Sequence, residues 1–468
     1  MKHIATILGA LLLMITGLAP VRLAGEAQAP QGPPPGGGGG RGAAPVVNLP
    51  SSPTAVTLPT LSAEITGPGQ MFDSTPSLPA GKGLAAFKYD LKEYFVSGTA
   101  NGQPYTTRLV VRRPANARSF SGLVLAESMH GSCAAHMFEF TSTYTMSSGH
   151  AAVEILTTNP MQFTQFNQER YKSLQVAGGQ ASEILAQVGA LVRAGTPLGG
   201  ARPRKMVLAG TSMSAGTLLN YLPAHKVFRT PDMQRIYDGF YPTSNGSLVP
   251  DVDVPVVHMP TMLEVAAANI TDRADGDEPG KQYRLYEVAG MAHIDTRYSV
   301  RLKPNPCTQP LSDFPHEAYV SVGLHHLLQW VDKGTVPPRA DRIVRDNDEQ
   351  NDGSRMALDE NGNPRAGIRT PYVDVPVAKY GLRPPAITPV IPNPSAYIAA
   401  GGQQAANQMC GLSGSQIPLD AAKLQALYKT PKNYVASVEK RVKELEKAGW
   451  SLPLYRDLII GDAQKVRF

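Results

Sequence analysis

The run Met206-Val-Leu-Ala-Gly-Thr-Ser-Met-Ser-Ala-Gly216 constrains this chain more than any other stretch. A short apolar run ends in Gly210, Ser212 follows, and small residues lead into a helix-like run through Tyr221. That order predicts a strand, a tight turn and a helix, with Ser212 at the apex. Such a turn lifts a hydroxyl clear of the sheet and leaves room only for small neighbours. The bare pattern is weak evidence. With 44 glycines in 468 residues, a loose Gly-x-Ser-x-small match arises by chance on the order of once per chain. A second match, Gly411-Leu-Ser413-Gly-Ser415, follows Asn407-Gln-Met-Cys410, which is a poor strand. Context therefore carries the weight.

The surrounding pattern supplies that context. Residues 45–80 read as an extended arm or early strands. Residues 86–95 and 105–113 alternate apolar and polar side chains, as paired antiparallel strands do. Buried-strand candidates follow at 123–126, 150–156, 206–209, 254–263 (interrupted by Pro260) and 283–288. Helical spacing appears at 184–193 and 319–332, the latter closed by Gly334 and Pro337-Pro338. Residues 339–400 are loop-rich, and 419–449 hold two amphipathic helical runs. Strands alternating with helices imply an α/β fold: a mainly parallel sheet covered on both faces, with N-terminal antiparallel strands and a helical C-terminal extension. Sites in such sheets lie beyond the carboxyl ends of the strands, where Ser212 is expected.

A serine hydroxyl needs a base within hydrogen-bond reach and an acid to orient that base. Where such a serine turn tops a mainly parallel sheet, their chain order is Ser, then Asp or Glu, then His. His293 fits best as base, because the strand-like run before it ends in Gly290 and a small-residue loop carries the imidazole. His258 reads as mid-strand, His325 and His326 as helical, and His225 and His316 as loop residues without a comparable strand. Glu264 is the preferred acid, on the strand immediately before the His293 strand. Asp272, Asp275, Asp277 and Asp295 are its rivals. The backbone N–H of Met213 is one oxyanion donor. The second is expected from the loop Glu127-Ser-Met-His-Gly131, with Met129 and His130 as candidates. Met161, Phe163 and Phe166 read equally well as a pocket wall or as core.

The N-terminus reads as a secretory signal, residues 1–29: Lys2 and His3 precede an apolar stretch from 4 to 18, too short for a convincing span. Residues 30–44 read as a flexible Pro/Gly-rich linker, and 45–468 as the folded domain. The chain is expected to be exported, periplasmic or secreted, with no stable membrane span after signal cleavage. Hydrophobic content of 42% supports a real core. The net charge of +6 is scattered, which argues against nucleic-acid binding. Three cysteines leave at least one outside any disulfide, and Cys307 with Cys410 is the preferred pair. No CxxC or HExxH spacing suggests zinc, and no organic cofactor is implied.

Several further segments complete the picture. They include Gly149-His-Ala-Ala-Val-Glu-Ile, Glu169-Arg-Tyr-Lys-Ser-Leu174, Val254-Pro-Val-Val-His-Met-Pro-Thr-Met-Leu-Glu264, Trp330-Val-Asp-Lys-Gly-Thr-Val-Pro-Pro338 and Cys410-Gly-Leu-Ser-Gly-Ser-Gln-Ile-Pro418. Taken in order with the Ser212 and His293 segments, the chain resembles a bacterial, often secreted group of α/β-hydrolase-domain proteins over most of residues 80–460. The resemblance implies Ser212 as nucleophile, Glu264 as acid and His293 as base, with the C-terminal part packed on the same domain. Three positions depart from the group's pattern: Ser214 stands where it tends to have Gly, Ala266 where it tends to be acidic, and Ser128-Met-His130 where it resembles Trp-Leu-Asn.

The resulting expectation is a serine hydrolase that cleaves a small carboxylic ester through an acyl-enzyme. A catalytically silent binding protein on the same scaffold, or an amidase or peptidase with the same three residues, are the alternatives. Oligomeric state is not legible.

Overall fold

Short apolar runs alternating with helices build a nine-stranded sheet. The computed structural model describes residues 47–133, 136–266, 273–298, 302–346, 354–392 and 396–468. The expected signal segment (1–29) and linker (30–44) lie outside these residues. In chain order the sheet strands are β1 (Thr60–Leu61), β2 (Tyr89–Ala100), β3 (Gln103–Pro114), β4 (Leu123–Ser128), β5 (Ala151–Ile155), β6 (Lys205–Thr211), β7 (Gly239–Thr243), β8 (Val256–His258) and β9 (Tyr283–Leu285). Their spatial order is β9-β8-β7-β6-β4-β5-β3-β2-β1. Strands β4 to β9 pair in parallel, while β1, β2 and β3 extend the sheet antiparallel from β5.

Successive residues of a strand face opposite sides, so full burial of neighbours means both faces are covered. Met206, Val207, Leu208 and Ala209 of β6 are all 0% exposed. The covering helices include α1 (Ala181–Arg193), α2 (Met213–Val227) and α4 (His316–Lys333), with the one-turn helix α3 (Met262–Ala266) between the last two in sequence. Helix α1 packs on α2, and α4 packs on β7 and β8. Gly239 of β7 shows how closely α4 approaches: a Cβ there would lie 2.8 Å from Val331. Toward the C-terminus come α5 (Ala396–Ser413), α6 (Pro431–Ala448) and α7 (Arg456–Lys465). Tyr434, Val438, Val442 and Leu445 form the buried stripe of α6. No helix among the described residues is long and apolar enough to cross a membrane.

Several local expectations need correction. Residues 86 and 87 belong to a 3-10 turn, Leu84–Phe87, and β2 starts after it. The run 254–263 is not one strand: β8 ends at His258, and α3 begins just past Pro260, which cannot donate to a ladder. His225 lies in α2, which continues through Pro223 to Val227, and His316 is the first residue of α4. The second Gly-x-Ser match has the reverse element order. Ser413 ends α5, and a strand, Ser415–Pro418, follows and pairs with Ala378–Gly381.

Candidate active site

Strand β6 hands the chain to α2 through a turn only certain residues can make. Ser212 sits at φ 52°, ψ −116°, a conformation that costs an L-residue strain and recurs at functional turns. The surrounding contacts hold it there. Ser212 N–H donates to Thr243 O at 3.0 Å, and its carbonyl accepts from Gly216 N–H at 3.0 Å. Asn245 Nδ2 adds a bond to the same carbonyl at 3.3 Å. Gly210 must lack a side chain, since a Cβ there would lie 2.5 Å from Ser214 O. Ser214 braces the turn from inside. Its buried hydroxyl accepts from Thr211 N–H and donates to Thr211 O, both at 2.9 Å. A glycine at this position would leave the Thr211 amide without that partner.

Ser212 Oγ lies 3.0 Å from His293 Nε2, and His293 Nδ1 lies 2.5 Å from Glu264 Oε1. Glu264 reaches this position from α3, not from a strand end. Its other oxygen accepts from Thr261 N–H at 2.8 Å and from the Thr261 hydroxyl at 2.6 Å. Burial by itself would raise the Glu264 pKa. The His293 charge and the hydrogen bonds from His293 and Thr261 outweigh it, and the net value falls below the ordinary carboxylate range. An ionised carboxylate only accepts, so Nδ1 carries the imidazole proton and the Nε2 lone pair faces the serine hydroxyl.

The rival groups are engaged elsewhere. Asp275 binds Arg342, Asp277 binds Arg284 and Arg339, and Asp295 accepts from Arg297 N–H. Asp272 lies outside the described residues. Among the histidines, His225 pairs with Asp253, His325 with Tyr144 and His326 with Tyr286. His258 sits between Tyr283 OH and Asn245 O, and burial pushes its pKa down to about 4. His316 Nε2 contacts Ala292 O at 2.6 Å.

Met213 is the first residue of α2, so its N–H has no intrahelical partner and lies at the positive end of the helix dipole. The loop after β4 packs against this residue: a Cβ on Gly131 would lie 2.6 Å from Met213 Cε. Met129 is not a second donor. Its N–H continues the β4–β5 ladder to Ile155 O at 2.8 Å, and the residue is 1% exposed. His130 lies in the same loop. Its Nδ1 lies 2.8 Å from Ser132 Oγ, and its ring packs on His136 with centroids 4.6 Å apart. Phe163 is fully buried against Phe72, Tyr171 and the Arg108 guanidinium, which makes it core and not pocket wall. Met161 is exposed.

Three contributors escaped sequence reasoning: Thr261, Asn245 and the Ser214 bridge. Thr261 had a visible signal, as a hydroxyl residue three positions before the acid at the start of a helix, and Ser214 stood out only as a departure from the group's pattern. Cys307 and Cys410 form a disulfide, and Cys133 is buried. Among the described residues, no group of three or more His, Cys, Asp or Glu side chains could hold a metal ion.

Comparison with known proteins bears on the scaffold. No curated protein matches the chain. Solved structures similar to it include a cold-adapted esterase from an Arctic intertidal metagenomic library, at 17% identity, covering 42% of this chain and 83% of that one, TM-score 0.25. A thermostable esterase from Pseudomonas putida ECU1011 is similar at 16% identity, covering 34% of this chain and 46% of that one, TM-score 0.23. The family model described as "Alpha/beta hydrolase domain" matches residues 52–460, and on that span the chain belongs to the α/β hydrolase domain family.

Proposed function

We propose that the chain is an exported serine hydrolase that cleaves a carboxylic ester. One observation carries the reading: the continuous contact from Ser212 Oγ through His293 to Glu264, at 3.0 and 2.5 Å. Ser212 Oγ attacks the acyl carbon while His293 Nε2 takes its proton. The carbonyl electron pair moves onto oxygen, where the N–H groups of Met213 and His130 receive it. As the tetrahedral adduct collapses, His293 returns the proton to the leaving alcohol and an acyl-enzyme forms. Water then enters, His293 accepts its proton, and the acid is released with Ser212 restored. Glu264, held by Thr261, fixes the ring orientation and stabilises the imidazolium in both halves.

The Cys307–Cys410 disulfide supports export, because such bonds persist in oxidising compartments. The apolar N-terminal run at 4–18 supports it independently. The test is pre-steady-state hydrolysis of para-nitrophenyl acetate. A burst of nitrophenol matching the enzyme concentration is expected, and Ser212→Ala should abolish it. Turnover unchanged in Ser212→Ala would overturn the reading.

A further inference from the structure

We propose that the end of α5, tethered by the Cys307–Cys410 disulfide, is the element that positions His293 for catalysis; this rests on His293 being the base. The histidine sits in a loop of small residues, Gly290-Met-Ala-His293, with no regular structure on either side. Its neighbours in the chain are gripped from two directions. Ala292 O meets His316 Nε2 at 2.6 Å, at the start of α4. Ile294 N–H donates to Leu412 O at 3.1 Å, in the last turn of α5. Gly414 then passes so close that a Cβ on it would lie 2.7 Å from Ala292 Cβ. The stretch 411–415, the second Gly-x-Ser match, therefore docks on the histidine loop instead of presenting a nucleophile.

The disulfide lies two residues upstream of Leu412. Cys410 is 0% exposed and Cys307 3%. They sit in a small apolar cluster with Leu302, Ala386, Ile398 and Ala406, separate from the main core. Gln416 N–H donates to Pro310 O at 3.0 Å and Asp313 N–H to Gln416 Oε1 at 2.8 Å just beyond α5, and the disulfide adds the covalent link from α5 itself to the segment after His293. On the far side, pairing of Ser415–Pro418 with Ala378–Gly381 holds the same stretch. The grip on Ile294 and Ala292 thus lies between two anchors, one of them reducible. A misplacement of about 1 Å in a reacting group can cost about 100-fold in rate, so a modest relaxation of this loop should be visible in turnover.

The test compares oxidised wild type, wild type treated with dithiothreitol, and the Cys307→Ser/Cys410→Ser double variant. The dithiol delivers two electrons and two protons to the S–S bond and leaves two thiols. Far-UV circular dichroism verifies folding. Amide hydrogen exchange is followed in the peptide spanning 288–298, and kcat and KM are measured on para-nitrophenyl acetate. We expect faster exchange in that peptide and kcat lower by about tenfold or more, with KM within about twofold. Unchanged exchange or unchanged kcat in a folded, disulfide-free protein overturns the proposal. Should the double variant not fold, Gly414→Ala keeps the disulfide and drives a methyl onto Ala292. It should reproduce both effects, while Gly461→Ala in α7, where a Cβ meets nothing within 4 Å, should keep wild-type kcat. An inert oxidised wild type would refute the hydrolase reading instead, and the exchange measurement alone would then decide whether α5 holds the loop.

Discussion

Replacing Glu264 with Gln tests the relay most sharply, because Thr261 dictates how the amide must lie. Thr261 offers its N–H at 2.8 Å and its hydroxyl at 2.6 Å to Oε2. A glutamine satisfies the N–H only with its carbonyl oxygen, which turns its NH2 onto His293 Nδ1. Two donors cannot share that contact. His293 then moves its proton to Nε2, the atom that must accept from Ser212. Turning the amide over restores the Nδ1–H bond but leaves the Thr261 N–H facing another donor. A buried donor left unpaired costs about 1–3 kcal/mol. At about 1.4 kcal/mol per factor of ten, the productive orientation holds about 1–20% of molecules. The neutral amide also no longer stabilises the imidazolium, and a wrong-tautomer substitution in a Ser-His-Asp enzyme lowers kcat about 10⁴-fold. We therefore expect kcat of Glu264→Gln on para-nitrophenyl acetate to fall about 10³–10⁴-fold, with KM within a few-fold and the fold intact. A loss below about tenfold in a folded variant would refute Glu264 as the orienting acid.

Two further predictions concern the scaffold around the site. Ser214→Ala removes the bridge across the turn and leaves the Thr211 amide unpaired, so urea unfolding should show a loss of about 1–3 kcal/mol; an unchanged midpoint would show that the bridge stabilises nothing. Glu127 at the end of β4 is 2% exposed, and its pKa is pushed up to about 8, first by burial and then by the Glu154 charge, against Arg112. Its folded value exceeds the unfolded one of 4.5, so its contribution to stability is fully present below 4.5 and is lost as pH rises through about 8. The unfolding free energy should fall by up to about 1.4 kcal/mol per pH unit across that interval, and Glu127→Gln should flatten the decline. Equal slopes for the two proteins would contradict this assignment.

What the sequence discloses about this site follows from what each feature depends on. Strand β6 and the turn at Ser212 are legible because an apolar run bounded by Gly210 and small residues has few other uses. The acid is legible only as a set of candidates. What separates Glu264 from Asp275 and Asp277 is the placement of Arg342, Arg284 and Arg339, distant in sequence. Its location on a helix follows from Pro260 ending the strand, a signal present in the sequence but read there as an interruption. Met129 looked available because its side chain says nothing about its backbone, and the ladder to Ile155 runs one residue beyond β4. Pro223 hid the length of α2 and made His225 look like a loop residue. The stretch 411–415 shows the limit of motifs most clearly: the same residue pattern serves a helix end, where no hydroxyl is raised at a strand-to-helix turn.

Whether Ser212 is the nucleophile activated by His293 is decided by incubating the folded, oxidised protein with an aryl-leaving-group phosphonate and mapping the adduct by peptide mass spectrometry. A single phosphonyl adduct on Ser212 is expected, absent in Ser212→Ala and slowed strongly in His293→Ala. A folded protein left unlabelled, or labelled at another residue with Ser212 untouched, would contradict that assignment.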